Sequence, residues 1–155
     1  VDVFDIIEEG FRNTEFDFKP IRDSEGYGAW VTVPDPFDCP LQFDVSVDVV
    51  QGPQTKTDAD TQWSPVLLDV VWHVREIDDQ IVRLVAARLL TLHAENRYKL
   101  SLWPGEAGRS LVVCEGNLAL SPGSASELTD MLRHQSALAV EATLACECGE
   151  SLLLR

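Results

Sequence analysis

The residues best able to do chemistry in this chain are its cysteines, its histidines and a set of strand aspartates. Cys146 and Cys148 stand as C-x-C before Gly149, and Cys39 and Cys114 stand alone in other segments. A zinc site needs four ligands, usually as two close pairs, and the sequence has no second pair. On a helix, positions i and i+2 also point to different sides. The thiols therefore read as buried or merely unpaired, with no metal and no cofactor expected. Four scattered cysteines are too sparse for a disulfide scaffold, and a reducing cytosol fits them best.

His73, His93 and His134 have no spacing that suggests a ligand set. His73 falls on the polar side of a strand, near Asp69 and Arg75. Asp44, Asp48 and Asp69 fall on one side of neighbouring strands, where carboxylates can hold a cation or do acid–base work. Such groups are more often the solvated side of a sheet. A Cys114–His73 pair is the other arrangement that could support hydrolysis. "GEAG" and "SPGSAS" lack the Gly spacing and the Lys of a phosphate loop. The expectation is a non-enzyme with no catalytic residues.

The elements that must position these groups follow from periodicity. "VDVFDIIEEGFRN" puts Val3, Phe4, Ile7 and Phe11 on one stripe, an amphipathic helix over about residues 2–12. "FDFKP" adds a short strand at most, and "YGAWVTV" is a strand. "PDPFDCP", with three prolines, is a connection. "LQFDVSVDVV" alternates strictly: Phe43, Val45, Val47 and Val49 should be buried, opposite Asp44, Ser46 and Asp48. Residues 51–64 read as a long polar loop, mobile or functional. "PVLLDVVWHVRE" is a strand with Leu68, Val70, Trp72 and Val74 in phase and Asp69, His73 and Arg75 opposed.

"DDQIVRLVAARLLTLHAEN" is a helix, capped by Asp78 or Asp79, with Ile81, Leu84, Val85, Leu89 and Leu92 as its stripe. Val82, Ala86 and Leu90 widen that stripe beyond what one sheet face hides. "YKLSLW" and "RSLVVCEGN" form a hairpin. A last helix begins near Ser124 or Ser126. The order α–β–β–β–α–β–β–α predicts one α+β domain over residues 1–155, an antiparallel sheet of about five strands with three helices.

The charge is unusual. Among 155 residues, 12 Lys and Arg face 26 Asp and Glu, a net of −14. Residues 1–60 alone hold 14 acids and 4 bases. Nucleic acid and anionic membranes are repelled by such a surface, and a basic partner is attracted. Solubility alone explains it equally well. No apolar run reaches a membrane span and no secretory leader opens the chain, so a cytoplasmic protein is expected.

Trp30 lies on the side of its strand opposite Ala29, Val31 and Val33, and Trp103 is out of phase with Leu100 and Leu102. Either helices cover both sheet faces, or a bulge turns Trp30 inward, or Trp30 is an exposed contact for a partner.

In element order, size and acidity the whole chain resembles the type III secretion chaperone-like fold, shared by effector chaperones and YbjN-type proteins. The resemblance rests on no short motif. It implies peptide binding along the first helix and first strands, with Phe4, Phe11, Trp30, Thr32, Asp44 and Asp48 as candidate contacts. It also implies a homodimer built around the second helix, with Val82, Ala86, Leu90 and Trp103 as candidates. Three functions follow. The first is a chaperone-like module binding an extended segment of a basic or amphipathic client. The others are an acidic immunity protein or inhibitor neutralising a basic toxin, and a small Cys/His or metal-dependent hydrolase.

Overall fold

The computed structural model describes residues 3–23, 26–34, 39–51, 66–121 and 123–154, with the side chains of residues 51 and 66 left aside. Most of "PDPFDCP" and nearly all of the 51–64 segment lie outside the described residues. In chain order the elements are α1 (Val3–Arg12), β1 (Asp17–Arg22), β2 (Tyr27–Val33), β3 (Leu41–Gln51), β4 (Val66–Asp78), α2 (Asp79–Glu95), β5 (Lys99–Pro104), β6 (Arg109–Ala119) and α3 (Ser124–Leu153).

The strands form one antiparallel sheet ordered β1-β2-β3-β4-β6-β5. The class is the expected α+β, with six strands rather than about five. The extra strand is β1, which pairs with β2 from Asp17↔Thr32 to Arg22↔Tyr27.

Alternation assigns the two faces. On β2, Tyr27, Ala29, Val31 and Val33 are buried, and so are Phe43, Val45 and Val47 on β3 and Leu68, Val70 and Trp72 on β4. Val49, expected to be buried with them, is only half-buried near the strand's end. These side chains meet all three helices. Removing them from water supplies the main drive for folding, about 1.5–3 kcal/mol for each large aliphatic or aromatic group. Among the described residues no helix packs on the opposite face.

α1 buries Ile7 and Phe11, the latter against Phe18 and Tyr27 at 5.7 Å between ring centroids in each case. Arg22 of β1 fastens the helix, donating to the Phe4 carbonyl and to the carboxylates of Asp5 and Glu8. α2 buries Ile81, Val85, Leu89 and Leu92. Leu84, expected on that stripe, is 50% exposed. It sits on the flank of the helix that turns away from the sheet. The side chain of Asp78 makes no cap hydrogen bond, and Asp79 instead accepts from the Ser110 hydroxyl at 3.0 Å.

α3 runs thirty residues across the middle of the sheet and includes the whole "CECGESLL" stretch. Its N-cap is Gly123, without a side-chain bond; the Ser124 hydroxyl instead accepts from the Ser121 N–H. α3 crosses α2 at Gly149, where an added Cβ would stand 2.5 Å from Val85. At the centre of the α3–sheet interface Gln135 is fully buried. Its amide oxygen accepts from the Trp72 indole at 2.9 Å, and its amide nitrogen donates to the Val70 carbonyl at 3.1 Å.

One expectation about β4 fails for a local reason. The register shifts between His73 and Arg75, so β4 holds an extra residue there. Val74 and Arg75 therefore share the helix side instead of opposing one another. Arg75 spends that orientation on α3, donating to both carboxylate oxygens of Glu150 at 2.8 and 2.7 Å. The paired charge holds the Glu150 carboxyl below its usual range.

Candidate protein-binding face

The helix-free face is built by the other phase of the same strands. Its central row runs Lys19, Trp30, Asp44, His73, Val113 and Ser101, each directly opposite the next. Trp30 is 49% exposed. It is neither covered by a helix nor turned inward by a bulge, since the β1–β2 and β2–β3 registers run unbroken past it. Thr32 lies beside it on the same strand, and Asp44 and Asp48 lie on β3. Exposed Ile21, Val50 and Leu67 add apolar area on this side.

Further along the row the face is partly closed by its own side chains. The Trp103 ring meets His73 edge-on at 6.1 Å between centroids. These residues belong to β5 and β4, the strands flanking β6, so the two rings meet above β6. Val113 on β6 is fully buried, and Val71 beside His73 is 2% exposed, although neither joins the core under the helices. His73 Nε2 stands 3.2 Å from the Ser46 hydroxyl.

The acids are crowded. Asp48 and Asp69 are directly opposite one another, and Glu115 is one row away. One carboxylate oxygen of Asp69 is buried without a hydrogen-bond partner. Burial raises the Asp69 pKa first, then the charges of Glu115 and Asp48; Lys99 opposes them. Among the described residues no three His, Cys, Asp or Glu groups are placed to hold a metal ion.

The structure thus groups Trp30, Thr32, Asp44 and Asp48 and separates Phe4 and Phe11 from them. Phe11 is fully buried core, and Phe4 is half-buried against Tyr27 at 6.3 Å. Both belong to α1, which packs on the helix side, so neither can join a surface centred on Trp30. The dimer candidates divide as well. Ala86 and Leu90, the latter 68% exposed, line an apolar groove of about 410 Å³ with Leu100 and Leu102, at the outer edge of the sheet. Val82 is half-buried on α2 and does not line it. Trp103 lies on the opposite side of the sheet, against His73.

The nucleophile candidates do not meet. Cys114 pairs with Trp72 on the helix side, and burial pushes its thiol up to about 12. His73 faces the other side. Cys146 is buried, with its thiol pushed up to about 11 chiefly by burial, while Cys148 is exposed, as spacing on a helix requires. Sequence reasoning does not reach the His73–Trp103 contact, although the odd phase of Trp103 is its trace in the sequence.

No protein-family model matches this chain, and neither does any curated protein or solved structure. No helix is long and apolar enough, among the described residues, to cross a membrane.

Proposed function

We propose that this chain is a non-enzymatic, chaperone-like protein-binding module that holds an extended segment of a basic or amphipathic client on the helix-free face of its sheet. The observation that carries this reading is Trp30, half-exposed on that face one strand in from its edge and directly opposite Asp44. A large aromatic ring left in water costs solvation that a partner recovers, and adjacent carboxylates favour Lys or Arg beside it. The net charge of −14 would speed the encounter. The apolar groove of α2 and β5 supports a homodimer, and unpaired Cys39 and Cys148 suit a reducing cytoplasm.

The test uses a fluorescent peptide of alternating lysine and leucine, blocked at both ends. Trp30→Ala should weaken its binding by about 5- to 150-fold, as for an interface anchor, and an alternating glutamate and leucine peptide should not bind. Equal affinity of Trp30→Ala and the unmodified chain would refute the reading. Salt should slow association more than it changes release.

A further inference from the structure

The two strands at one end of the sheet are unequal in reach. β5 stops pairing at Lys99, opposite Glu115, while β6 continues to Ala119 and stays paired with β4 as far as Leu67. Among the described residues Gly116 to Ala119 are thus strand-paired on one side only, and the Ala119 carbonyl also accepts from the Ser124 hydroxyl at 3.4 Å. Backbone groups of an antiparallel strand alternate in direction, so two of these four residues aim N–H and C=O groups into the space beyond the start of β5. Unpaired edges of this kind template the addition of another strand.

That space is a cleft of about 510 Å³. One wall is α3, which turns Glu127, Asp130 and His134 toward it. Their spacing of three and four residues makes them a single stripe. The other wall is the β6 edge. Tyr98 closes the end nearest β5, its ring lying against Gly116, where an added Cβ would stand 2.7 Å from it. Two positive groups stand at this closed end: Arg97 lies over the Tyr98 ring at 5.8 Å, and Lys99 follows, directly opposite Glu115; the His134 ring is 6.4 Å from Tyr98. His134 Nδ1 is 2.7 Å from the Asp130 carbonyl, which can only accept, so Nδ1 donates and Nε2 of the neutral ring is an acceptor, suited to a lysine or arginine of the ligand.

We propose that this overhang of β6 docks the extended carboxyl-terminal segment of a partner protein, added as a short seventh strand antiparallel to β6. Direction follows from charge. An antiparallel addition runs the same way as β5, so its carboxylate arrives at Arg97 and Lys99. A parallel one would bring an ammonium group there. The side chains facing α3 meet Glu127 and Asp130, which select lysine or arginine. The proposal rests on reading the chain as a peptide-binding module, at a second site independent of Trp30.

The experiment uses the Trp30→Ala chain, so that the open face does not contribute. The probe is a fluorescein-labelled hexapeptide of alternating lysine and valine, with a free carboxyl end or amidated. The free acid should bind about tenfold tighter than the amide, the gain expected of one charge-assisted recognition. Arg97→Gln should erase that difference, and Glu127→Gln with Asp130→Asn should weaken both forms. Hydrogen exchange should slow at residues 117–119 on binding. Equal affinity of the two forms, no binding at millimolar peptide, or unchanged exchange at 117–119 would each overturn the edge site. Because the amidated peptide also meets Glu127 and Asp130, the blocked-peptide test of Trp30 is run on the Glu127→Gln, Asp130→Asn chain, so failure at one site is distinguishable from failure at the other.

Discussion

Trp72 and Trp30 stand on the same sheet, two strands apart, and meet opposite surroundings. Trp72 is fully buried under α3, and its indole N–H is satisfied by Gln135. Trp30 is half in water between a lysine and an aspartate. The side bearing Trp72 is closed by three helices and has its buried amide paired. The side bearing Trp30 keeps an exposed aromatic, exposed aliphatics and facing carboxylates, none of which helps the isolated chain fold. A side chain that does not serve stability is the better candidate for serving a partner.

Substitutions measure how far this contrast extends. Trp72→Ala should have the largest effect, a loss of about 3–5 kcal/mol in chemical denaturation, because it opens a cavity and leaves the buried Gln135 amide oxygen without its donor. A smaller loss would mean that the helix side is looser than its burial implies. Gly149→Ala comes next, at about 1–3 kcal/mol, since the new methyl group meets Val85 at the crossing of α2 and α3. Normal melting of this variant would show that the two helices can separate cheaply.

On the other face the sign should reverse. The raised pKa of Asp69 means that the folded chain holds this proton more tightly than the unfolded chain does. Its contribution is therefore favourable below the usual aspartate range and is lost as pH rises through the folded value. Asp69→Asn should raise the melting temperature at pH 7 by roughly 2–4 °C at most, given the solvent near the group. The gain should vanish in acid; a gain that persists at pH 3 would assign the effect to something other than charge. Smallest of all, Trp30→Ala should change stability by no more than about 0.5 kcal/mol. A loss near that of Trp72→Ala would dissolve the contrast and make Trp30 structural.

Much of this contrast is legible in the order of the residues alone. Strict alternation in "LQFDVSVDVV" separates Phe43, Val45 and Val47 from Asp44 and Asp48, and the phase of Trp30 sets it with the acids. An amphipathic pattern shows that Phe11 is buried, but it cannot say on which side of a sheet its helix lies. Periodicity alone therefore cannot part α1 from Trp30, and only the packing of the helix does so. The extra residue at Val74 leaves no mark in composition, yet it reverses the phase of everything after it on β4, Arg75 first. The overhang of β6 depends on where β5 begins to pair, which is a property of register and not of either strand alone.

Gln135 has a consequence for how α3 is assembled. A long helix with a broad apolar stripe can slide along a sheet and find several placements of similar burial. A slide of one turn, about 5.4 Å, would bring Met131 or Ala139 to the position of Gln135. Neither side chain can donate to a carbonyl, Ala139 cannot accept and Met131 accepts only weakly through its sulfur, so the Trp72 N–H and the Val70 oxygen would both lose their Gln135 bond inside a dry interface. Each misplacement therefore carries a penalty of about 1–3 kcal/mol per stranded group. One amide thus gives α3 a single seating and turns an otherwise permissive greasy contact into one that rejects its near misses.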